Sequence, residues 1–157
     1  MKFIADVNLK PLAKRLRMLG FDCFYNGGWS FPDLVNLAIR EDRVLLTMRN
    51  VPETKNLNIL VLSEGNTSGQ LRQVTGKYNL TGEIQIFSRC LVCNIPIVEY
   101  QPAPDLSDDR LPPSVRERRL PVFQCPHCDR LYWRGSHVER MLSSLQDDGS
   151  PHTSVNP

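Results

Sequence analysis

The sequence predicts an α/β fold, a mostly parallel sheet flanked by helices, with a small metal-held unit behind it. Two observations carry this. Short apolar runs alternate with stretches of helical periodicity over residues 2–87, and two Cys-x-x-Cys hooks follow them. Continuous apolar strands separated by amphipathic helices belong to strands buried on both faces, which requires crossover connections and hence a parallel sheet. The hooks are Cys90 and Cys93 in RCLVCN and Cys125 and Cys128 in QCPHCD, with 31 residues between them. Each hook can hold one edge of a tetrahedron and two close it. A Zn²⁺ in such a Cys₄ shell has no position left for water and is structural rather than catalytic.

The elements follow in order. Residues 2–5 read as a buried strand. Asn8 is placed to cap the next helix, Pro11 sits in its first turn and Gly20 ends it. Leu9, Leu12, Ala13, Leu16 and Leu19 form its apolar stripe, with Lys10, Lys14 and Arg17 together on another face. A second strand, DCFY, precedes Ser30 and Asp33, which have the spacing of a capping box opening a helix through Arg40. RVLLT and NILVL are the third and fourth strands, Ser68 to Tyr78 a helix, and EIQIF a fifth strand candidate running into Cys90. The Pro- and charge-rich stretch between the hooks reads as an extended loop, and HVERMLSSLQ as a closing helix. This divides the chain into an α/β domain at 1–88, the metal-held unit and closing helix at 89–146, and a disordered tail at 147–157. In open parallel sheets ligands sit outside the carboxyl ends of the strands, so Asp6, Tyr25 to Gly28 and Thr47 to Asn50 mark the edge where chemistry is expected.

Composition narrows the classes. With 157 residues and 41% hydrophobic content the chain can build one ordinary core and a small appended module. No apolar run is long enough to span a membrane and the charged start does not read as a signal peptide, so a cytoplasmic protein is expected. Paired hooks in a reducing compartment favour metal ligation over disulfides, and Cys23 in FDCFY reads as a buried, inert thiol. The net charge of +2 is small, and its local excess lies in LKPLAKRLR.

Taken in order, FIADVNL with LAKRLRMLGFD, PDLVNLAIREDRVLLT, GQL, RCLVCN and CPHCDRLYWRGSH resemble the Mut-seven C-terminal RNase domain family over residues 2 to about 145. That resemblance implies a PIN-like nuclease fold with a C-terminal zinc ribbon. It implies a ribonuclease in which clustered carboxylates hold Mg²⁺ or Mn²⁺ to polarise a water and neutralise the phosphate. Asp6 and Asp33 correspond to the first two carboxylates, and Lys14, Arg15 and Arg17 are placed to guide an RNA backbone. The third carboxylate is expected two residues after Thr47, where the family reads Thr-Arg-Asp; here the chain reads Thr47-Met48-Arg49-Asn50. A guanidinium cannot ligate a cation and repels one, although it can contact a phosphate. Glu41, Asp42 and Glu53 are the remaining carboxylates near enough in sequence to complete the cluster.

Three functions follow as expectations. The first is a metal-dependent ribonuclease impaired by Arg49, and the second a catalytically inactive RNA-binding protein. The third is a zinc-ribbon module that docks another protein. Tyr132, Trp133 and Arg134 on the ribbon fit base stacking, and equally fit packing of the ribbon onto the α/β domain.

Overall fold

The computed structural model describes residues 1–52, 56–101 and 109–146. Its main sheet has four strands, β1 (Lys2–Ala5), β2 (Asp22–Tyr25), β3 (Val44–Thr47) and β4 (Ile59–Val61), in the order β2-β1-β3-β4, with every pair parallel. Alternation along the strands sends side chains to two layers. Phe3, Ala5 and Leu46 meet helices α1 (Lys10–Met18) and α3 (Thr67–Lys77) through Leu12, Leu16, Leu71 and Val74. Ile4 and Leu45 meet helix α2 (Phe31–Arg40) through Leu34, Leu37 and Ala38. The predicted parallel sheet flanked by helices is therefore the observed one.

The capping box of α2 forms as expected, with Pro32 in the first turn. Asn8 does not cap α1. A 3₁₀ turn over Val7–Leu9 intervenes, and its cap is Asp6, whose carboxylate accepts the Val7 N–H. Gly20 ends α1 at φ +97°, and a Cβ there would lie 2.5 Å from the Gln85 carbonyl oxygen. That close approach explains why EIQIF is not a fifth strand. Gln85 and Phe87 donate their N–H groups to the Leu19 and Met18 carbonyls at the end of α1, which leaves the segment outside the sheet behind a 3₁₀ turn at Leu80–Glu83.

A second, antiparallel sheet of three strands carries the hooks: β5 (Val98–Tyr100), β6 (Val122–Gln124) and β7 (Leu131–Trp133). The loop expected between the hooks contains a short helix, α4 (Pro113–Glu117), because Leu111 and Val115 bury against Val122 and Trp133 in a core of their own. Residues 102–108 of that loop, Glu53 and the tail at 147–157 lie outside the described residues. Helix α5 (Ser136–Gln146) returns Val138 and Met141 to the core shared by α1 and α3. Among the described residues no helix is long and apolar enough to cross a membrane.

Candidate functional site

Parallel pairing of β1 with β2 and β3 brings Asp6, Tyr25 and Thr47 to one sheet edge, as expected. Asp6 continues the ladder by donating its N–H to the Leu46 carbonyl at 3.0 Å, and the Tyr25 hydroxyl donates to the Val7 carbonyl at 3.0 Å. Only 2% of Asp6 is exposed, so its charge needs partners inside the protein. It has three. One oxygen accepts the Val7 N–H at 2.7 Å; the other accepts the Thr47 hydroxyl at 2.7 Å and the Arg49 Nε–H at 2.8 Å. Thr47 orients both neighbours, since its Oγ1 also accepts the Arg49 backbone N–H at 3.1 Å.

Arg49 reaches across this edge. Its guanidinium carbon lies 4.9 Å from the centre of the Phe31 ring, within cation–π range. Phe31 opens α2, two residues before Asp33, so Arg49 links the end of β1 to the first turn of α2. Asp33 is exposed and its carboxylate is engaged by Ser30, accepting the hydroxyl at 2.5 Å and the backbone N–H at 3.3 Å. Glu41 and Asp42 precede β3 and so lie at the opposite, amino-terminal edge, where Glu41 pairs with Arg43 at 2.7 Å and Asp42 accepts from Asn58. They do not complete an acidic cluster with Asp6. Sequence reasoning missed Phe31 as the platform for Arg49, because a ring beside a guanidinium leaves no spacing signal.

The basic residues of α1 separate. Lys14 is exposed. Arg15 is half-buried and donates to the Ser68 hydroxyl at 2.7 Å, tying α1 to α3. Arg17 corrects an expectation. It does not share an exposed face with Lys14 but is buried, donating to the carbonyls of Cys23 at 2.8 Å and of Leu91 and Val92 at 2.9 Å each. Burial of a guanidinium is tolerated because three carbonyls receive its protons. It therefore braces the first hook against α1 and β2 and is unavailable to RNA. The spacing from Ala13 to Arg17 carried that signal, since i and i+4 share one helix face.

The four cysteines do converge. Their sulfurs all lie within 4.8 Å of one another, and Cys90 and Cys128 are 3.7 Å apart. Four sulfurs about 2.3 Å from a tetrahedral Zn²⁺ would be about 3.8 Å apart, so the donor set and its spacing fit such an ion. Both hooks have the same turn. Cys90 accepts from Asn94 and donates to Ile95, while Cys125 accepts from Asp129 and donates to Arg130, all through the backbone at 2.8–3.0 Å. Asn94 (φ 64°) and Asp129 (φ 56°) supply the left-handed residue, which their side-chain type tolerates. Burial disfavours a Cys90 thiolate, but hydrogen bonds from the Cys93 N–H, the Tyr132 hydroxyl and the Val92 N–H outweigh it, bringing the pKa to about 6. By contrast, burial pushes Cys23 up to about 12, in keeping with an inert thiol.

The first hook is fastened to the main sheet by Asn94, which accepts the Cys23 N–H at 3.1 Å and donates to Asp22 at 2.8 Å. Tyr132 stacks on Phe87 at 5.8 Å with its hydroxyl 3.1 Å from Cys90 Sγ, so this aromatic packs the ribbon onto the α/β body. Among the described residues, the cysteines are the one group of three or more His, Cys, Asp or Glu side chains drawn close enough to hold a metal ion.

No curated protein and no solved structure matches the chain. A family model described as the Mut7-C RNAse domain matches residues 1–145, a span that includes both the strand-edge carboxylate and the two hooks. The chain therefore belongs to the Mut7-C RNAse domain family.

Proposed function

We propose that this protein binds single-stranded RNA at the strand edge around Asp6, and that Arg49 stands where a catalytic cation would otherwise sit, suppressing hydrolysis. One observation carries the reading: the buried Asp6 carboxylate accepts from Val7 and Thr47 and is neutralised by the Arg49 guanidinium. Metal-assisted hydrolysis needs a carboxylate free to ligate Mg²⁺ or Mn²⁺, which would polarise the attacking water and the phosphate. One Asp6 oxygen is taken both by Thr47 and by a guanidinium whose charge repels a cation, and Asp33 is committed to the α2 cap. The Arg49 side chain is 51% exposed and uses Nε on Asp6. Among the described residues nothing takes its two terminal NH₂ groups, which are left to fork onto a phosphate, the geometry in which guanidinium binds phosphate best. Asp6, Thr47 and Phe31 thus orient Arg49, and Arg49 binds. On this reading the four cysteines hold Zn²⁺ as a structural ion, and four thiols kept for a metal fit a reducing compartment such as the cytoplasm.

A second reading is supported by the same exposure. If Arg49 swings into solvent when RNA arrives, Asp6 and Asp33 regain Mg²⁺ or Mn²⁺ and the protein is a working ribonuclease. End-labelled single-stranded RNA with Mn²⁺, incubated with wild type, Asp6→Asn and Arg49→Asp, separates the two. The proposal expects wild type to bind without cutting and Arg49→Asp to gain Mn²⁺-dependent cleavage. Cleavage by wild type that disappears in Asp6→Asn would establish the second reading. RNA that neither binds nor is cut would leave the protein-docking module.

A further inference from the structure

We infer that the cleft between α1 and the three-stranded sheet is a second contact for single-stranded RNA, receiving a phosphate and an adjoining base. The inference rests on the RNA reading above and extends it to a place away from Asp6. The cleft has a volume of about 370 Å³, large enough for a nucleotide-sized group, and its walls include Lys14, Val92, Arg110, Asp129, Arg130 and Trp133. Among the described residues that line the cleft there are three cations and one carboxylate, and that carboxylate already accepts from Gln124 at 3.4 Å. Lys14 and Arg130 are exposed, and their side chains have no partner among the described residues. Arg110 is held in place by Tyr100, with its guanidinium 5.1 Å from the ring centre and an N–H donated to the hydroxyl at 2.6 Å. Trp133 is anchored by packing against Leu111, Val115 and Val122, yet it borders the cleft and is only half-buried.

Cations along a groove beside an aromatic face are the combination that receives a single strand, because phosphates take the charges and any base can stack on the ring. Continuity with the strand edge adds to this. Lys10 is exposed, begins α1 four residues after Asp6, and stands one turn from Lys14 on the same face. A strand leaving Arg49 along α1 would meet Lys10, then Lys14, then the cleft.

The test uses the full, zinc-loaded chain carrying Trp29→Phe, so that Trp133 is the sole emitting tryptophan. A labelled single-stranded RNA should quench that emission on binding. Lys14→Glu with Arg130→Glu should abolish the quenching and weaken binding about tenfold or more. It should also lower the log–log salt slope by about 1.4, the value for two phosphate contacts on a single strand. Unchanged affinity with no quenching in the parent would overturn the cleft while leaving RNA binding at Asp6 intact. No RNA binding by the parent would overturn both. Equal binding and quenching by a poly-glutamate peptide would make the cleft an acidic-peptide site and overturn the proposal.

Discussion

The strand edge and the cysteine unit face the same electrostatic problem and solve it differently. At the edge, one buried carboxylate is neutralised from within by Arg49, with Thr47 and Val7 completing its hydrogen bonds. In the ribbon, four thiols meet with their sulfurs within 4.8 Å, and the nearby Arg17 guanidinium spends its protons on backbone carbonyls rather than on them. A site that contains its own cation is complete without a metal. A site that gathers four thiols is expected to be complete only with one, and its fold to depend on that ion. The difference teaches that a metal-ligating residue is recognised by what its other partners leave free, not by its type or its place on a strand.

The largest expected effect tests the ribbon half of that contrast. Structural zinc contributes about 10–16 kcal/mol of apparent binding free energy in small modules. Removing it with a strong chelator, or substituting Cys125→Ser, should release one zinc per chain and unfold the three-stranded sheet, seen as loss of near-ultraviolet dichroism from Trp133 and Tyr132. Because Arg17 and Asn94 fasten the first hook to α1 and β2, thermal unfolding of the main sheet should also move to lower temperature. An unfolding curve indifferent to the chelator would break the comparison.

Arg17→Met comes next. It leaves the Cys23, Leu91 and Val92 carbonyls without their donor, and unpaired buried acceptors cost about 1–3 kcal/mol each before relaxation. A loss of about 3 kcal/mol is expected, close to 10 °C in Tm at this chain length. The salt dependence of RNA binding should stay as in wild type, and a reduced slope would return Arg17 to the RNA-contacting residues.

Arg49→Asp sharpens the other half. The half-exposed Arg49 is screened by water, so its pairing with Asp6 contributes about 1 kcal/mol. Replacing it with a second carboxylate should destabilise the metal-free protein by somewhat more than that, and Mn²⁺ should restore the loss through binding to the folded state. Wild type should show no such Mn²⁺ response. A Tm that rises with Mn²⁺ equally in both would mean that Arg49 does not occupy the cation's place.

Much of this is legible in the sequence. Apolar runs placed β1 to β4, the Ser30–Asp33 spacing gave the α2 cap, and the hook spacing gave the four-thiol cluster, because each is a local pattern with a local cause. Other features depended on what distant segments do. EIQIF has strand composition, but Gly20 lets its backbone approach the end of α1, and those carbonyls take its N–H groups. Arg17 shares a helix face with the buried Ala13 by spacing, but the carbonyls of Cys23, Leu91 and Val92 that make burial of its charge tolerable come from distant segments. α4 forms because a small separate core rewards burial of Leu111 and Val115. Arg49 was visible as a departure at a family position, whereas its perch on Phe31 depended on a loop and a helix start meeting in space.

A third ionic cluster serves as a control, with an effect of the same small size. Asp22, at the amino end of β2, accepts from Arg43 at 2.7 Å and from Asn94 at 2.8 Å. Burial raises its pKa, but the hydrogen bonds from Arg43 and Asn94 outweigh that and hold it below the usual carboxylate value. A carboxyl group whose folded pKa is depressed stabilises the protein fully above its unfolded pKa of about 4, and loses that contribution as pH falls through the folded value. Asp22→Asn should therefore cost about 1–2 kcal/mol at neutral pH, and the gap from wild type should close on acidification below about pH 4. Urea unfolding at pH 7 and pH 3 measures it, and a gap that widens in acid would reverse the sign. Because this pair joins β2, β3 and the first hook far from the strand edge, Asp22→Asn should leave RNA affinity and the Mn²⁺ response of Arg49→Asp untouched. A carboxylate–guanidinium pair is thus a structural brace at one end of the sheet and, in our proposal, a substitute for a metal at the other, and the neighbours of each decide which.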